Sequence, residues 1–460
     1  MSRRTRDESS QASFYTVDPR QAIDLRQAIG DCLPRSGLGL VSGNDKLRWV
    51  PRMLVTAAIL MTWDSAQAIT DRFEAAWRAV RAMWPTRRQP GASYGGFMNM
   101  LRRHSPRLLS LIAPELRRHV RRLAQSAPAA ACWKIGRWIV FGVDGSRVEC
   151  PMTAANEKSF GTAGKNKTGP QQFLTTMFHV ATGLLWDYRR GDARSSERGH
   201  LLQMLDTLPP EAMVLADAGF TGYDVFGTIL AGGRSFLIRV GSNVSLLTKL
   251  GWSCEQRGNV VYLWPAYVQK KERPPLALRL IVLPGTGGKR MHLLTNAMDE
   301  ALLSDEQAEA MYEKRWGIEL IYRSLKQTMG RGRMRCASPG NAAVELDWAV
   351  IGLWMLGLAS VSRLLEAGHS PYQWSVASSL RVVRRKIRAA TPRPTRRREP
   401  SLAEAMAEAR RDEYTRRGSK KARHWPHKKR EKPPGDPLAR NANELEIELA
   451  QRLRPKREAA

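Results

Sequence analysis

The stretch from Tyr312 to Lys326 reads YEKRWGIELIYRSLK and sets a carboxylate among cations and a phenol at helical spacing. Tyr312, Arg315, Glu319 and Lys326 are separated by steps of three, four and seven residues. At about 100° per residue, the four fall within an arc of roughly 60° on one helix face. A carboxylate on that face suits a metal ion, and the cations suit the oxygens of a phosphodiester. Arg315 and Arg323 each lie four residues from Glu319, so the same charges also fit ordinary salt bridges on a solvated face.

Two aspartates are candidates to complete such a site. Asp144 ends the apolar run Trp138 to Asp144 (WIVFGVD), and Asp217 ends the run Ala212 to Asp217 (AMVLAD). Strand ends of a mixed α/β sheet open onto the crevice where sites form. Phosphodiester chemistry needs carboxylates there. Two hard divalent ions held by oxygens about 3.5–4 Å apart activate one oxygen and stabilise the one that leaves. An Asp after a strand is also a common turn residue. The argument therefore rests on the coincidence of two such Asp, a later Glu on a helix face, and cations beside it.

The elements that must position these residues follow from periodicity. Met311, Ile318, Ile321 and Leu325 form a stripe suited to burial beside the polar one. Ser304 with Gln307 predicts a capping box and Gly330 a stop, so a helix is expected over about 305 to 329. Upstream, residues 135–330 read as an α/β catalytic domain in the order β-β-β-α-β-α-β, with an all-β insertion at about 243–295 before the helix. Phe173 to Val180 and Leu184 to Arg190 are expected to form a hairpin through Thr182-Gly183, with a helix from about 196 to 207. Residues 20–130 read as a helical DNA-binding region. There Asp64 is expected to cap a helix from Ser65 to Trp84, followed by helices Phe97 to Arg103 and Pro106 to Leu123, the latter kinked or broken at Pro114. Arg107, Arg117, Arg118, Arg121 and Arg122 make that last segment basic, fit either to lie along DNA phosphates or to face solvent. Residues 1–19 are expected to be disordered, 338–380 helical, and 381–460 a basic tail, disordered or partly helical.

The whole chain carries a formal charge of +31 over 460 residues, which argues for a polyanionic partner, foremost nucleic acid. The most apolar segment, Trp348 to Val361, is too short to span a bilayer and reads as a buried helix, so no membrane partner is expected. The opening MSRRTRDESSQ lacks the apolar core of a signal peptide. Cys32, Cys132, Cys150, Cys254 and Cys336 are scattered without a CxxC pair, which fits a reducing cytoplasm.

The helix motif resembles a pattern that marks DDE transposases of the insertion sequence four family: Y, two residues, R, three residues, E, six residues, K. VDGSR around Asp144 and ADAGF around Asp217 are similar to that family's two aspartate motifs, and LLTN at Leu293 to Asn296 to the strand before its glutamate helix. The resemblance covers about 138 to 330 and implies a ribonuclease H-like core with a β insertion, flanked by helical N-terminal and C-terminal regions. It implies cut-and-paste transposition, with Asp144, Asp217 and Glu319 as the catalytic acids that bind two Mg ions, for which Mn substitutes. Tyr312, Arg315 and Lys326 would then hold the element-end phosphates, with Arg323 a further candidate DNA contact. Trp316 would pack near the distorted end or in the core. Met291 stands, by ungapped register, where some members carry a tryptophan that stacks on a flipped base. The implied partners are double-stranded DNA, as inverted-repeat ends and target, and a second copy of the chain on paired ends, in a bacterial cytoplasm at the nucleoid. The rival readings are a ribonuclease H-like nuclease without strand transfer and a non-catalytic nucleic-acid-binding protein.

Overall fold

The computed structural model describes residues 19–41, 48–85, 89–128, 132–163, 169–252, 259–285, 290–388, 400–411 and 435–454. Four helices come first: α1 (Pro19–Asp31), α2 (Pro51–Trp63), α3 (Ile69–Met83) and α4 (Tyr94–Ser126). Apart from Arg52, every residue of α2 is buried, as expected of a helix apolar all round. Asp64 does not start a helix. It follows the last turn of α2, and its Oδ1 accepts from the Ala66 N–H at 2.6 Å, a local turn that competes with helix. α4 is likewise one helix of 33 residues running through Pro106 and Pro114, where two segments and a kink or break are predicted. Tertiary packing overrides the proline penalty of roughly 3 kcal/mol, because Leu108, Ile112, Leu116 and Val120 are fully buried. Its basic residues are partly committed inside the fold. Arg117 pairs with Asp187 at 3.4 Å, while Arg118 and Arg122 pair with Glu115.

The α/β part begins with β1 (Ile139–Glu149) and continues through α5 (Ala154–Phe160), β2 (Gln171–His179), β3 (Leu184–Gly191), α6 (Glu197–Met204), β4 (Ala212–Ala216), α7 (Tyr223–Ala231) and β5 (Ser235–Val240). β1, β2 and β3 are antiparallel neighbours, and β1, β4 and β5 run parallel. The order β3-β2-β1-β4-β5, three meandering strands and then two crossover strands, is the ribonuclease H-like core. Gly183, at φ +66, makes the turn between β2 and β3 in the left-handed region.

The insertion supplies β6 (Ser245–Thr248), β7 (Val260–Leu263), α8 (Ala266–Gln269), β8 (Leu276–Pro284) and β9 (Arg290–Thr295). It is not all-β, since Pro265 starts the single turn of α8. β9 pairs antiparallel with β5, so the insertion continues the sheet of the core instead of standing apart. The helical rod that carries Glu319 follows as α9 (Asp305–Glu313), a 3₁₀ turn at Lys314–Trp316, α10 (Gly317–Arg323) and a π turn at Ser324–Thr328. The Ser304–Gln307 capping box forms, and Gly330 at φ +70 ends the rod. Just beyond, buried Arg331 donates to the carbonyls of Met61, Thr62 and Asp64 at 2.9–3.2 Å, which ties the rod to the open end of α2.

α11 (Pro339–Glu366) has 28 residues and is long and apolar enough, by length and composition alone, to cross a membrane. It therefore exceeds the short apolar segment that the sequence outlines. Burial is what marks it as a core helix, since 78% of its apolar window lies inside the fold. The expected tail is also more structured than its composition predicts. α12 (Val376–Arg388) buries Leu380 and Val383, and α13 (Leu402–Ala407) buries Leu402 and Met406. β10 (Leu438–Asn441) joins β6 in parallel as the edge of a ten-stranded sheet, and α14 (Glu444–Leu453) follows it. Residues 1–18, 389–399, 412–434 and 455–460, where disorder is predicted, lie outside the described residues.

One contact sets the depth at which the rod sits. The ring of Phe178 on β2 lies between Gly142 of β1 and Gly317 of α10, and a Cβ at Gly317 would come within 2.7 Å of it. Gly317→Ala should therefore destabilise the protein by roughly 1–3 kcal/mol, the usual cost of overpacking a core. The measurement is the thermal unfolding midpoint, which should fall by several degrees; an unchanged midpoint would mean that the Phe178 ring turns aside freely.

Candidate active site

β1 and β4 set the two aspartates level. Gly142 pairs with Leu215 in parallel register, so two residues further on Asp144 and Asp217 share a rung on neighbouring strands. Each is steadied by backbone. Asp144 Oδ1 accepts from the Gly145 N–H at 2.7 Å, and Asp217 Oδ1 accepts from the Gly219 N–H at 2.9 Å, capping a short 3₁₀ turn. Oδ2 of Asp144 faces the Arg315 guanidinium at 3.9 Å.

α10 presents Glu319 to this rung, and three contacts orient it. The Tyr322 hydroxyl shares its proton between the carbonyls of Asp144 and Leu174 at 2.8 and 2.9 Å, and accepts from the Thr176 N–H at 3.1 Å. Lys326 Nζ donates to Ser146 Oγ and to the Arg147 carbonyl, both at 2.6 Å. Arg315 spans the gap, 3.9 Å from Asp144 and 4.0 Å from Glu319, with its guanidinium over the Tyr312 ring at 5.6 Å. Arg315 and Lys326 of the stripe thus reach β1 directly, the charge of Glu319 reaches Asp144, and Tyr312 joins through Arg315.

The electrostatics are those of crowded acids. Burial, and then the charge of Asp217, push the Asp144 carboxyl up to about 6, against the pull of the Gly145 N–H and Arg315. Burial lowers the Lys326 ammonium and raises the Tyr312 phenol.

A fourth acid, Glu197, also belongs here and was missed from the sequence. Burial, Asp217 and Asp144, in that order, push it up to about 7. Ser196 signals a helix start, and an acid one residue later is an ordinary first-turn acid, so nothing in the sequence sets it apart. Arg239 of β5 was missed as well. It stands one rung beyond the Ala216–Ile238 pairing, level with Asp217, and its charge reaches Tyr312.

The remaining predicted residues lie around this centre. Trp316 is 59% exposed, which rules out a core role. Arg323 is exposed, and its charge reaches Arg411. Met291 is half-buried on β9, two residues outward from Leu293, which pairs with Arg239. It therefore sits at the same end of the sheet as Asp217.

Among the described residues, no three acidic, histidine or cysteine side chains converge closely enough to hold a metal ion as they stand. The donor set still fits a hard divalent cation. It consists of carboxylate oxygens, and the repulsion that raises Asp144 and Glu197 is what a dication would relieve.

Residues 139–355 match the transposase DDE domain family. The transposase InsG for insertion sequence element IS4 of Escherichia coli (strain K12) is 26% identical over 262 residues, covering 54% of this chain and 58% of that protein. The chain thus spans less than two thirds of that relative's length. A cryo-EM structure of the piggyBac transposase synaptic complex with hairpin DNA aligns over 88% of this chain and 85% of its own, at 11% identity and a TM-score of 0.42, a likeness too loose to bear on mechanism. Residues 139–355, which carry the strand-end aspartates and the helix-borne glutamate, are thus similar to the transposase DDE domain, and the chain is similar to an IS4 transposase.

Proposed function

We propose that the protein is a DNA transposase that moves an insertion sequence by cut-and-paste transposition, cleaving element ends and joining them to target DNA. The observation that supports this best is the Asp144–Asp217 rung facing Glu319 and the cations of the same helix. In this reading Asp144, Asp217 and Glu319 hold two Mg ions, for which Mn substitutes. Such ions supply activation of the attacking oxygen and stabilisation of the leaving one. Both steps are phosphoryl transfers, in which charge spreads over the non-bridging oxygens.

The chain's own groups do the rest. Lys326, already steadied by Ser146 and the Arg147 carbonyl, meets a phosphate oxygen without first being ordered. Arg315 stands between Asp144 and Glu319, where its guanidinium would meet a phosphate oxygen held against the acids. Tyr312 backs the guanidinium. Trp316, exposed beside Arg315, and Met291, at the sheet end, are placed to touch the DNA end. The helical N-terminal region binds DNA, two copies pair two ends, and the enzyme works at the bacterial nucleoid. A nuclease without strand transfer would need the acids but not a cationic stripe aligned with them.

Asp144→Ala, Asp217→Ala and Glu319→Ala should each abolish cleavage of end DNA and leave end binding nearly unchanged, because each removes an ion ligand and few DNA contacts. Calcium should support binding but not cutting, since its looser coordination serves in-line displacement poorly. A Glu319→Ala protein that nicks end DNA with Mg at the wild-type rate would sink the assignment.

A second outcome follows from the crowding. Because the folded-state Asp144 titrates near 6, above its ordinary 3.8, it favours the fold while protonated. That contribution is lost as pH rises through about 6. Asp144→Asn removes the loss. In EDTA, the melting temperature of Asp144→Asn should climb relative to wild type between about pH 4 and pH 6 and hold that lead above it. Parallel curves would mean that burial and the neighbouring acids do not raise the Asp144 carboxyl.

A further inference from the structure

Gly145 follows Asp144 directly and Gly219 stands two residues after Asp217, and Glu197 reaches into the room that both leave. A Cβ at Gly145 would lie 3.0 Å from Glu197 Oε2, and a Cβ at Gly219 would overlap Glu197 Oε1 and lie 3.0 Å from Asp217 Oδ1. The carboxylate of Glu197 therefore reaches across the crevice to the backbone following both Asp144 and Asp217. We propose that Glu197 is a fourth carboxylate of the ion site, supplying an oxygen to the divalent cation alongside Asp144 and Asp217. The proposal rests on the reading of those aspartates as ion holders.

The placement is built, not incidental. Glu197 opens α6, directly after β3, and Ser196 caps that helix by accepting from the Gly199 N–H at 3.4 Å. The next residue, Arg198, donates to the Gly219 carbonyl at 2.7 Å, which ties the start of α6 to the loop that carries Asp217. Its neighbour Glu197 is thereby held over the same loop. Among the described residues, no hydrogen bond or salt bridge engages its carboxylate. An acid in a first helical turn ordinarily offsets the helix dipole and needs nothing more. That role explains neither the reach toward Gly145 and Gly219 nor the close approach to two other acids. An acid placed against like charges costs stability, and a dication shared among them offsets it.

The test is Mn²⁺ binding to the full chain without DNA, read by the electron paramagnetic resonance of free Mn²⁺ and by the rise in melting temperature that Mn²⁺ produces. Glu197→Gln keeps shape and removes charge. It should weaken Mn²⁺ binding at least tenfold and shrink the ion-induced rise, within the 10–100-fold range found for groups around a metal. Without ions it should melt no lower than wild type. Glu197→Asp, which keeps the charge on a shorter stem, should recover part of the affinity. A merely structural Glu197 would lower the ion-free melting temperature and leave Mn²⁺ affinity alone. Wild-type Mn²⁺ affinity in a folded Glu197→Gln would overturn the proposal. Asp217→Asn, run in parallel, tests the underlying reading separately: unchanged binding there would overturn the aspartates as ion holders, whereas loss there with no loss at Glu197→Gln would overturn Glu197 alone.

Discussion

The geometry of the site hangs on a single buried hydroxyl. Tyr322 Oη bonds to the Asp144 and Leu174 carbonyls and to the Thr176 N–H, groups that belong to two paired strands, β1 and β2. Three residues earlier, on the same turn of α10, stands Glu319. Fixing Tyr322 to the backbone of Asp144 therefore fixes the separation of the two acids as well. Phe178, gripped between Gly142 and Gly317, sets the depth of the same contact. A satisfied polar node specifies position and the aromatic wedge specifies distance; an apolar interface alone would do the second without the first.

Position matters because the centre is electrostatically uncomfortable. Asp144, Asp217, Glu197 and Glu319 share one crevice in a protein of net charge +31, yet among the described residues only Arg315 bridges two of them. Its contacts of 3.9 and 4.0 Å are too long for charge-assisted hydrogen bonds. They moderate the repulsion without quenching it. The fold holds the carboxylates together against their own charge, which keeps an attractive potential for cations. The repulsion is borne by the half-buried strand rung and the buried tyrosine node.

What the sequence revealed follows the range of the interactions. The catalytic helix was legible because its signals are local: the stripe spacing, the Ser304–Gln307 box and the Gly330 stop. Its 3₁₀ and π turns were not, since they arise where the rod bends to meet β1. The aspartates were legible as strand ends, and their shared rung only through the register of β1 with β4. Glu197 was invisible because a first-turn acid looks the same whether it faces solvent or a crevice; only the fold reveals what it faces. α4 misled for the converse reason. Its prolines signal a break locally, and the buried face from Leu108 to Val120 overrides them.

The C-terminal segment carries the same lesson into the architecture. By composition it is a free basic tail. Yet the Arg411 N–H bonds to the Gln373 carbonyl at 2.6 Å, and β10 extends the insertion through β6. Arg290 pairs with Asp436 at 2.8 Å, and Arg452 with Glu272 at 2.6 Å. β10 thus attaches the chain from residue 438 to the edge of the same sheet whose strands β1 and β4 set Asp144 and Asp217 level.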